Sequence, residues 1–363
     1  MQYFDKYVSD TVASTGNQSW FELGGKTKKG RIFYRIESSG TYEYSLLFSS
    51  IIDSTFSDGS HSVVNTDILN WTIKNIAVAI TCDCNPYIEN DRFIRLTFDK
   101  KHEKVVNVSG FFSTDGVKLE ANKGEYLCVD IEFCGDKIPY HEECVLVPVF
   151  SQNANDEWVE DRQMPVPCMV GCDKKYKARI TFWGDSITQG IGTELNSYSH
   201  YASIVASLLG DDYACYNVGL GFGRANDGAM LKSWFYRAKQ CEVAVVCFGV
   251  NDIFRIKNVE QTKSDIKTIV TALKNEGVKV ILQTVPPFDY NEQDRKSWES
   301  INSYIKNELK NIVDEVFDCV PILGVENMPY KAKYGGHPNS EGCKAWGEKL
   351  YVTVEKVLKS LGR

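Results

Sequence analysis

Four short blocks in this 363-residue chain hold residue types that could do nucleophilic chemistry. The first is TFWGDSITQG, Thr181–Gly190. An apolar strand-like run ends at Trp183, then Gly184, Asp185 and Ser186 lead into a helix-compatible segment. A serine at such a strand-to-helix turn is pushed to the edge of a sheet, with nearby backbone amides aimed at its reaction partner. The plainer alternative is a helix N-cap serine. The second block, YNVGLGFGRAND, sets Asn217, Gly219, Gly221 and Gly223 just after a second strand. The third, CFGVND, sets Gly249, Asn251 and Asp252 after a third. The fourth, YGGHPNSEG, places His337 ahead of a final helix. For the glycines the alternative is tight turns, and for Asn251 a cap.

The elements that must position these blocks are legible. From Lys177 onward the pattern alternates strand and helix. ARITFW, YACYNVG, EVAVVCFG and KVILQTV are near-continuous apolar runs, with a weaker fifth at VFDCVPI. Such runs suit parallel strands covered on both faces. Between them, Ile266, Ile269, Val270 and Leu273 repeat at helical spacing, with Gly277 as the stop. Trp298 through Val316 marks a longer amphipathic helix, and Ser340–Leu358 a last one. The expected fold is a doubly wound α/β domain with a five-stranded parallel sheet, its ligand at the carboxyl ends of the strands.

Before Lys177 the period is two. GRIFYRI, TYEYSLLF, IAVAIT, RFIRLTF, KVVNVSGFF, EYLCVDIEF and CVLVPVF, broken by turn residues, read as an all-β sandwich or jelly roll. We place the domains at 1–172 and 173–363, with the polar stretch Asp156–Lys177 as the linker.

Composition narrows the function classes. Hydrophobic residues make up 43% and charged residues 25%, an ordinary globular balance. The net charge of −7 argues against nucleic-acid or anionic-membrane partners, which need concentrated positive charge. No run approaches the roughly 18 apolar residues of a membrane helix, and the N-terminus lacks the pattern of a secretory signal. A cytoplasmic location is the expectation. Twelve cysteines sit mostly inside strand-like runs, and the pairs Cys82/Cys84 and Cys168/Cys172 lack matching second pairs at zinc spacing. Free thiols are expected, with no metal.

Taken together, GDSITQG, the Asn217 glycine block, GVND and the His337 loop resemble the SGNH (GDSL-type) hydrolase superfamily. The order of domains also resembles that of two-domain carbohydrate esterases of family two, which carry a β-sandwich or jelly roll ahead of a flavodoxin-like hydrolase domain. The resemblance implies a serine esterase working through an acyl-enzyme without a cofactor. Ser186 would be the nucleophile and His337 its base, and the oxyanion would be held by the amides of Ser186 and of Gly223 or Gly221 and by the Asn251 side chain. Asp185, Asn217 and Asp252 would support the loops.

Two departures from the pattern matter. The residue five after Asn217, where the superfamily has its oxyanion glycine, is Phe222; Gly223 is the favoured substitute. The residue three before His337, where an aspartate is usual, is Tyr334. A Ser–His dyad oriented by a main-chain carbonyl is therefore expected, with Asp318 or Glu326 as the less favoured orienting acids. His200 is expected to be a surface or partly packed helix residue.

Aromatics near the blocks, Trp183, Phe222, Phe254 and Tyr334, could stack on sugars; ordinary packing is the alternative for Trp183 and Phe254. The expected reaction is removal of O-acetyl groups from a carbohydrate or small acyl ester, from an oligosaccharide or metabolite partner. A general short-chain carboxylesterase or lysophospholipase, and a catalytically weak carbohydrate-binding protein, are the alternatives. The N-terminal domain could bind glycan, cover the active-site edge or build a homo-oligomer.

Overall fold

The computed structural model describes residues 3–54 and 63–362; His61 lies outside them. Two compact units emerge. Among the described residues the first comprises 3–53 and 63–175, and the second comprises Ser54 and 176–362.

The first unit is antiparallel β throughout its sheets. A seven-stranded sheet runs in the order Trp158–Glu160, Val149–Gln152, Thr27–Arg35, Tyr126–Gly135, Trp71–Thr81 and Ile94–Arg95, with Lys104–Val106 also paired to Trp71–Thr81. A five-stranded sheet joins Val8–Ser9, Met169–Cys172, Gly40–Ser49 and Phe111–Ser113, with Val117–Ala121 on Gly40–Ser49. The stretch expected as a linker thus holds two strands. Met169–Cys172 pairs with Leu47–Tyr44 on one side and with Val8–Ser9 on the other. Its Pro165 and Pro167 hid the pattern, because they precede the strand rather than interrupt it.

The second unit carries the five parallel strands. They are β1 (Ala178–Gly184), β2 (Tyr213–Asn217), β3 (Val243–Cys247), β4 (Lys279–Gln283) and β5 (Glu315–Phe317). Their order is β2-β1-β3-β4-β5, and every pairing is parallel. That order is the flavodoxin-like one, in which the sequence direction reverses beside β1 and opens a crevice at the carboxyl edge. The central strands are apolar because both faces are covered: Ile180, Phe182, Val243, Val245, Val280 and Ile281 are fully buried.

The helices are α1 (Ser186–Gln189), α2 (Tyr201–Leu209), α3 (Ala225–Ala229), α4 (Ser233–Ala238), α5 (Val259–Asn275), α6 (Glu292–Asn307), α7 (Val320–Leu323) and α8 (Ser340–Ser360). In α5 the residues Ile266, Ile269, Val270 and Leu273 form the buried stripe expected from their spacing, and Gly277 follows in the left-handed conformation. Helix α6 is shorter than its apolar repeat suggests. It ends at Asn307, and a 3₁₀ turn, Leu309–Asn311, follows. Val316 belongs to β5, where it pairs with Leu282. Asp314 sets this change by accepting the Val280 amide at 2.8 Å, which ties the chain to β4. All twelve cysteines are free thiols; Cys82 is exposed, Cys84 and Cys134 are half-buried and the others are buried. No helix among the described residues is long and apolar enough to cross a membrane.

Candidate active site

Because the strands are parallel, the loops that follow them share one edge of the sheet. Ser186 follows β1, the Gly219–Gly223 loop follows β2, Asn251 follows β3, Phe288 follows β4, and His337 lies in the loop before α8. Asp185 caps α1, its carboxylate accepting the Ile187 amide at 3.0 Å. The cap leaves the Ser186 side chain at the rim, 9% exposed. Ser186 Oγ lies 2.8 Å from His337 Nε2. Serine is a weak nucleophile until such a base takes its proton.

His337 is held differently from a triad histidine. Its only hydrogen bond among the described residues is the one to Ser186. Among the described residues neither a main-chain carbonyl nor an acid hydrogen-bonds its Nδ1. Asp318 instead accepts from the Thr284 hydroxyl at 3.0 Å and from the Lys306 ammonium, so it serves the end of β5. Glu326 sits in the turn between two short strands, Gly324–Val325 and Met328–Ala332. Packing does the positioning. The Phe288 ring meets the imidazole edge to face, with centroids 5.2 Å apart, and Phe288 in turn stacks closely on Gly336. Gly192 covers the other side: a Cβ there would come within 2.6 Å of the His337 carbonyl oxygen. Burial lowers the His337 pKa below its ordinary value, which keeps the imidazole neutral and able to accept a proton.

Phe288 has no counterpart in the sequence reading. The available signal was its place at the carboxyl end of the fourth strand, in VPPFDY. It joins Phe254 and Tyr290 in one aromatic group, with ring centroids 5.4 Å and 5.5 Å from that of Phe254. Phe254 and Phe288 are both half-buried.

The loop after β2 changes the expected donors. The Gly221 amide donates to the Gln189 side-chain oxygen, and the Gly223 amide donates to the Leu220 carbonyl at 3.1 Å. Both glycine amides are therefore engaged, one by α1 and one inside the loop. Phe222 lies between them, half-buried, with φ at +60°. A bulky residue rarely takes that conformation unless the surroundings impose it. Asn251 donates one side-chain N–H to the Gly223 carbonyl at 3.0 Å. An asparagine amide has a second N–H, and no other hydrogen bond from it occurs among the described residues.

The supporting residues are engaged. Asn217 donates to the Thr188 carbonyl at 2.8 Å and accepts the Gly219 amide at 2.9 Å, which binds the β2 loop to α1. It also lies 3.1 Å from His200 Nε2. His200 is fully buried at the start of α2 rather than on the surface. Asp252 is fully buried and accepts the Ala225 amide at 2.9 Å, which anchors α3 to the loop after β3. Desolvation raises its pKa to about 7.

Two expected sugar platforms move. Trp183 is fully buried in an aromatic core with Trp234, Phe235 and Phe248, so no ligand reaches it. Its position in the first block says only that the strand runs through the core. Tyr334 is half-buried and packs its Cβ on Gly342 in the first turn of α8, with the Lys333 ammonium 4.9 Å from its ring. Among the described residues no group of three or more His, Cys, Asp or Glu is arranged to hold a metal ion.

Residues 182–345 match the model of the GDSL-like lipase/acylhydrolase family. Among solved structures, a G-D-S-L family lipolytic protein from Desulfitobacterium hafniense DCB-2 is 22% identical over 48% of this chain and 98% of its own, with a TM-score of 0.40. An acetyl xylan esterase is 21% identical over 48% of this chain and 99% of its own, with a TM-score of 0.41. A salicylyl-acyltransferase from a tetracycline biosynthetic pathway is 13% identical over 93% of this chain and 84% of its own, with a TM-score of 0.36. No curated protein matches the sequence.

Proposed function

We propose that the protein, whose residues 182–345 match the GDSL-like lipase/acylhydrolase family model, is a serine ester hydrolase that removes short acyl groups, acetyl above all, from a carbohydrate or small polar ester. One observation carries the reading: Ser186 Oγ sits 2.8 Å from the Nε2 of a half-buried histidine whose desolvation favours its neutral form. In the first step His337 Nε2 takes the Ser186 proton as Oγ attacks the ester carbonyl. The C=O bond opens to an oxyanion. Collapse expels the alcohol, which takes the proton from His337, and leaves an acyl-Ser186 ester. Water, deprotonated by the same nitrogen, then hydrolyses that ester and restores the serine.

The oxyanion needs donors. We assign them to the Ser186 amide and the second N–H of Asn251. The amides of Gly221 and Gly223 are already engaged, by the Gln189 side chain and the Leu220 carbonyl. Each such donor typically contributes about 10²–10³ in turnover. The half-buried ring of Phe288 beside His337, with that of Phe254 packed on it, supports a small acyl group and a flat sugar-like alcohol.

The test is a chain-length series. kcat/KM on p-nitrophenyl acetate, butyrate and octanoate is expected to fall steeply with each extension, and acetylated sugars are expected to release acetate. Activity that rises with chain length would instead assign the protein to lipid or general esterases.

A further inference from the structure

Among the described residues no acid orients His337, so its alignment with Ser186 depends on how the elements that carry the two residues are held. Ser186 opens α1, and the His337 loop leads into α8. A chain of side chains joins these two helices through the interior. Trp346 of α8 donates its indole N–H to Gln283 Oε1 at 2.8 Å. Gln283, the last residue of β4, donates its side-chain N–H to the Tyr201 hydroxyl at 3.4 Å. That hydroxyl, on the first residue of α2, lies 2.8 Å from Thr188 Oγ1. Thr188 belongs to α1, the helix that Ser186 opens. All four residues are fully buried.

The chain runs one way. An indole N–H only donates, so it fixes the Gln283 oxygen towards Trp346 and the Gln283 NH₂ towards Tyr201. An amide NH₂ does not accept, so among the described residues the Tyr201 O–H has one acceptor, Thr188 Oγ1. Burial pushes the Tyr201 pKa well above its ordinary value, so the phenol keeps that proton. Thr188 is fixed at its own end. Its Oγ1 lies so close over Gly184 that a Cβ there would come within 2.2 Å of it, and its carbonyl accepts from Asn217. Packing reinforces the link. The Tyr201 ring stacks on that of Trp346 with centroids 4.2 Å apart. Ser199, just before α2, meets Ser340, the first residue of α8, with hydroxyl oxygens 2.7 Å apart. Loss of the Tyr201 hydroxyl alone would leave the Gln283 N–H without its acceptor in the interior, which costs the desolvation of that group.

We propose that Tyr201 is a positioning residue for catalysis. Acting through Thr188 on one side and through Gln283 and Trp346 on the other, it sets α1 against α8 so that Ser186 Oγ and His337 Nε2 stay at hydrogen-bond distance. It does between elements what a triad carboxylate does for the imidazole itself. A displacement of about 1 Å between reacting groups costs about 10² in rate, so a link of this kind is read in turnover. This rests on the hydrolase reading above.

The test uses the full chain with Tyr201→Phe, Thr188→Val and the double variant, and Ser186→Ala as control. Hydrolysis of p-nitrophenyl acetate and inactivation by phenylmethylsulfonyl fluoride, which sulfonylates an activated serine, are measured together with thermal midpoints. Tyr201→Phe is expected to lower kcat by about 10- to 100-fold, leave KM within about twofold and slow inactivation in parallel with the loss in kcat. Thr188→Val is expected to do the same, and it decides the matter if Tyr201→Phe does not fold. The double variant is expected to lose no more than the larger single loss, because the two hydroxyls act as one unit. Unchanged kcat and inactivation in a folded single variant would overturn the proposal and leave the hydrolase reading standing. A lowered thermal midpoint beside those unchanged rates would show a merely structural role and would equally overturn it. Single losses that multiply in the double variant would overturn the link through Thr188, and the proposal with it. Wild-type hydrolysis no faster than that of Ser186→Ala would overturn the proposal together with the reading it rests on.

Discussion

Ser186 and His337 are joined by one hydrogen bond, and among the described residues everything else that holds the histidine is contact. A triad carboxylate would stabilise the imidazolium formed when the serine proton transfers. His337 has no such partner among the described residues, and its burial works the other way, lowering its pKa. The sign of the pH dependence follows. The active form is neutral imidazole, and a lowered pKa moves its protonation to more acidic pH. kcat/KM for p-nitrophenyl acetate is therefore expected to be flat near neutrality and to fall only as pH drops through a midpoint below the roughly 6.5 of free imidazole. A midpoint above that value would mean that an anionic partner reaches His337 in solution. At this scale the nucleophile and base were legible, because a GDS turn and a lone loop histidine carry strong local signals. The engagement of the glycine amides was not. Sequence pointed to glycine on grounds of freedom, but the Gly221 and Gly223 amides are spent on the Gln189 side-chain oxygen and the Leu220 carbonyl, which no spacing rule reveals.

The elements explain how side chains so far apart in sequence meet. Five loops converge because β1 to β5 are parallel and their carboxyl ends share an edge. Short segments then fasten the loops to each other: Asn217 binds the β2 loop to α1, and Asp252 binds the β3 loop to α3. The loop after α1 has little tolerance. Gly192 adopts φ +99°, and a Cβ there would strike the His337 backbone, which cannot swing aside as a side chain tip could. Gly192→Ala is expected to displace the histidine and lower kcat by about 10², measured against wild type with folding checked by thermal melting. An unchanged kcat would show that the loop yields without moving His337. Helix and strand types were readable from apolar period alone, as in α5. Where period failed, a tertiary bond had overruled it: the apolar repeat of α6 continues past Asn307, yet Asp314 carries the chain into β5.

Across the whole molecule, the contrast between a period-two first half and an alternating strand–helix second half was enough to anticipate two kinds of architecture. It could not anticipate that Met169–Cys172, in a polar and proline-marked stretch, is a paired strand of the first unit. Nor could it place Ser54 with the second unit, since the contact that does so spans 167 residues and leaves no local pattern. Trp183 taught the converse lesson. Its neighbour in sequence is a site residue, yet full burial removes it from any ligand. The central claim of the account is that Ser186, activated by His337, attacks an ester carbonyl. The measurement that tests it most directly is hydrolysis of p-nitrophenyl acetate by wild type and Ser186→Ala side by side. The account predicts turnover by wild type and, in the variant, a loss of about 10³-fold or more, as befits removal of a nucleophile. Equal rates from the two proteins would contradict it.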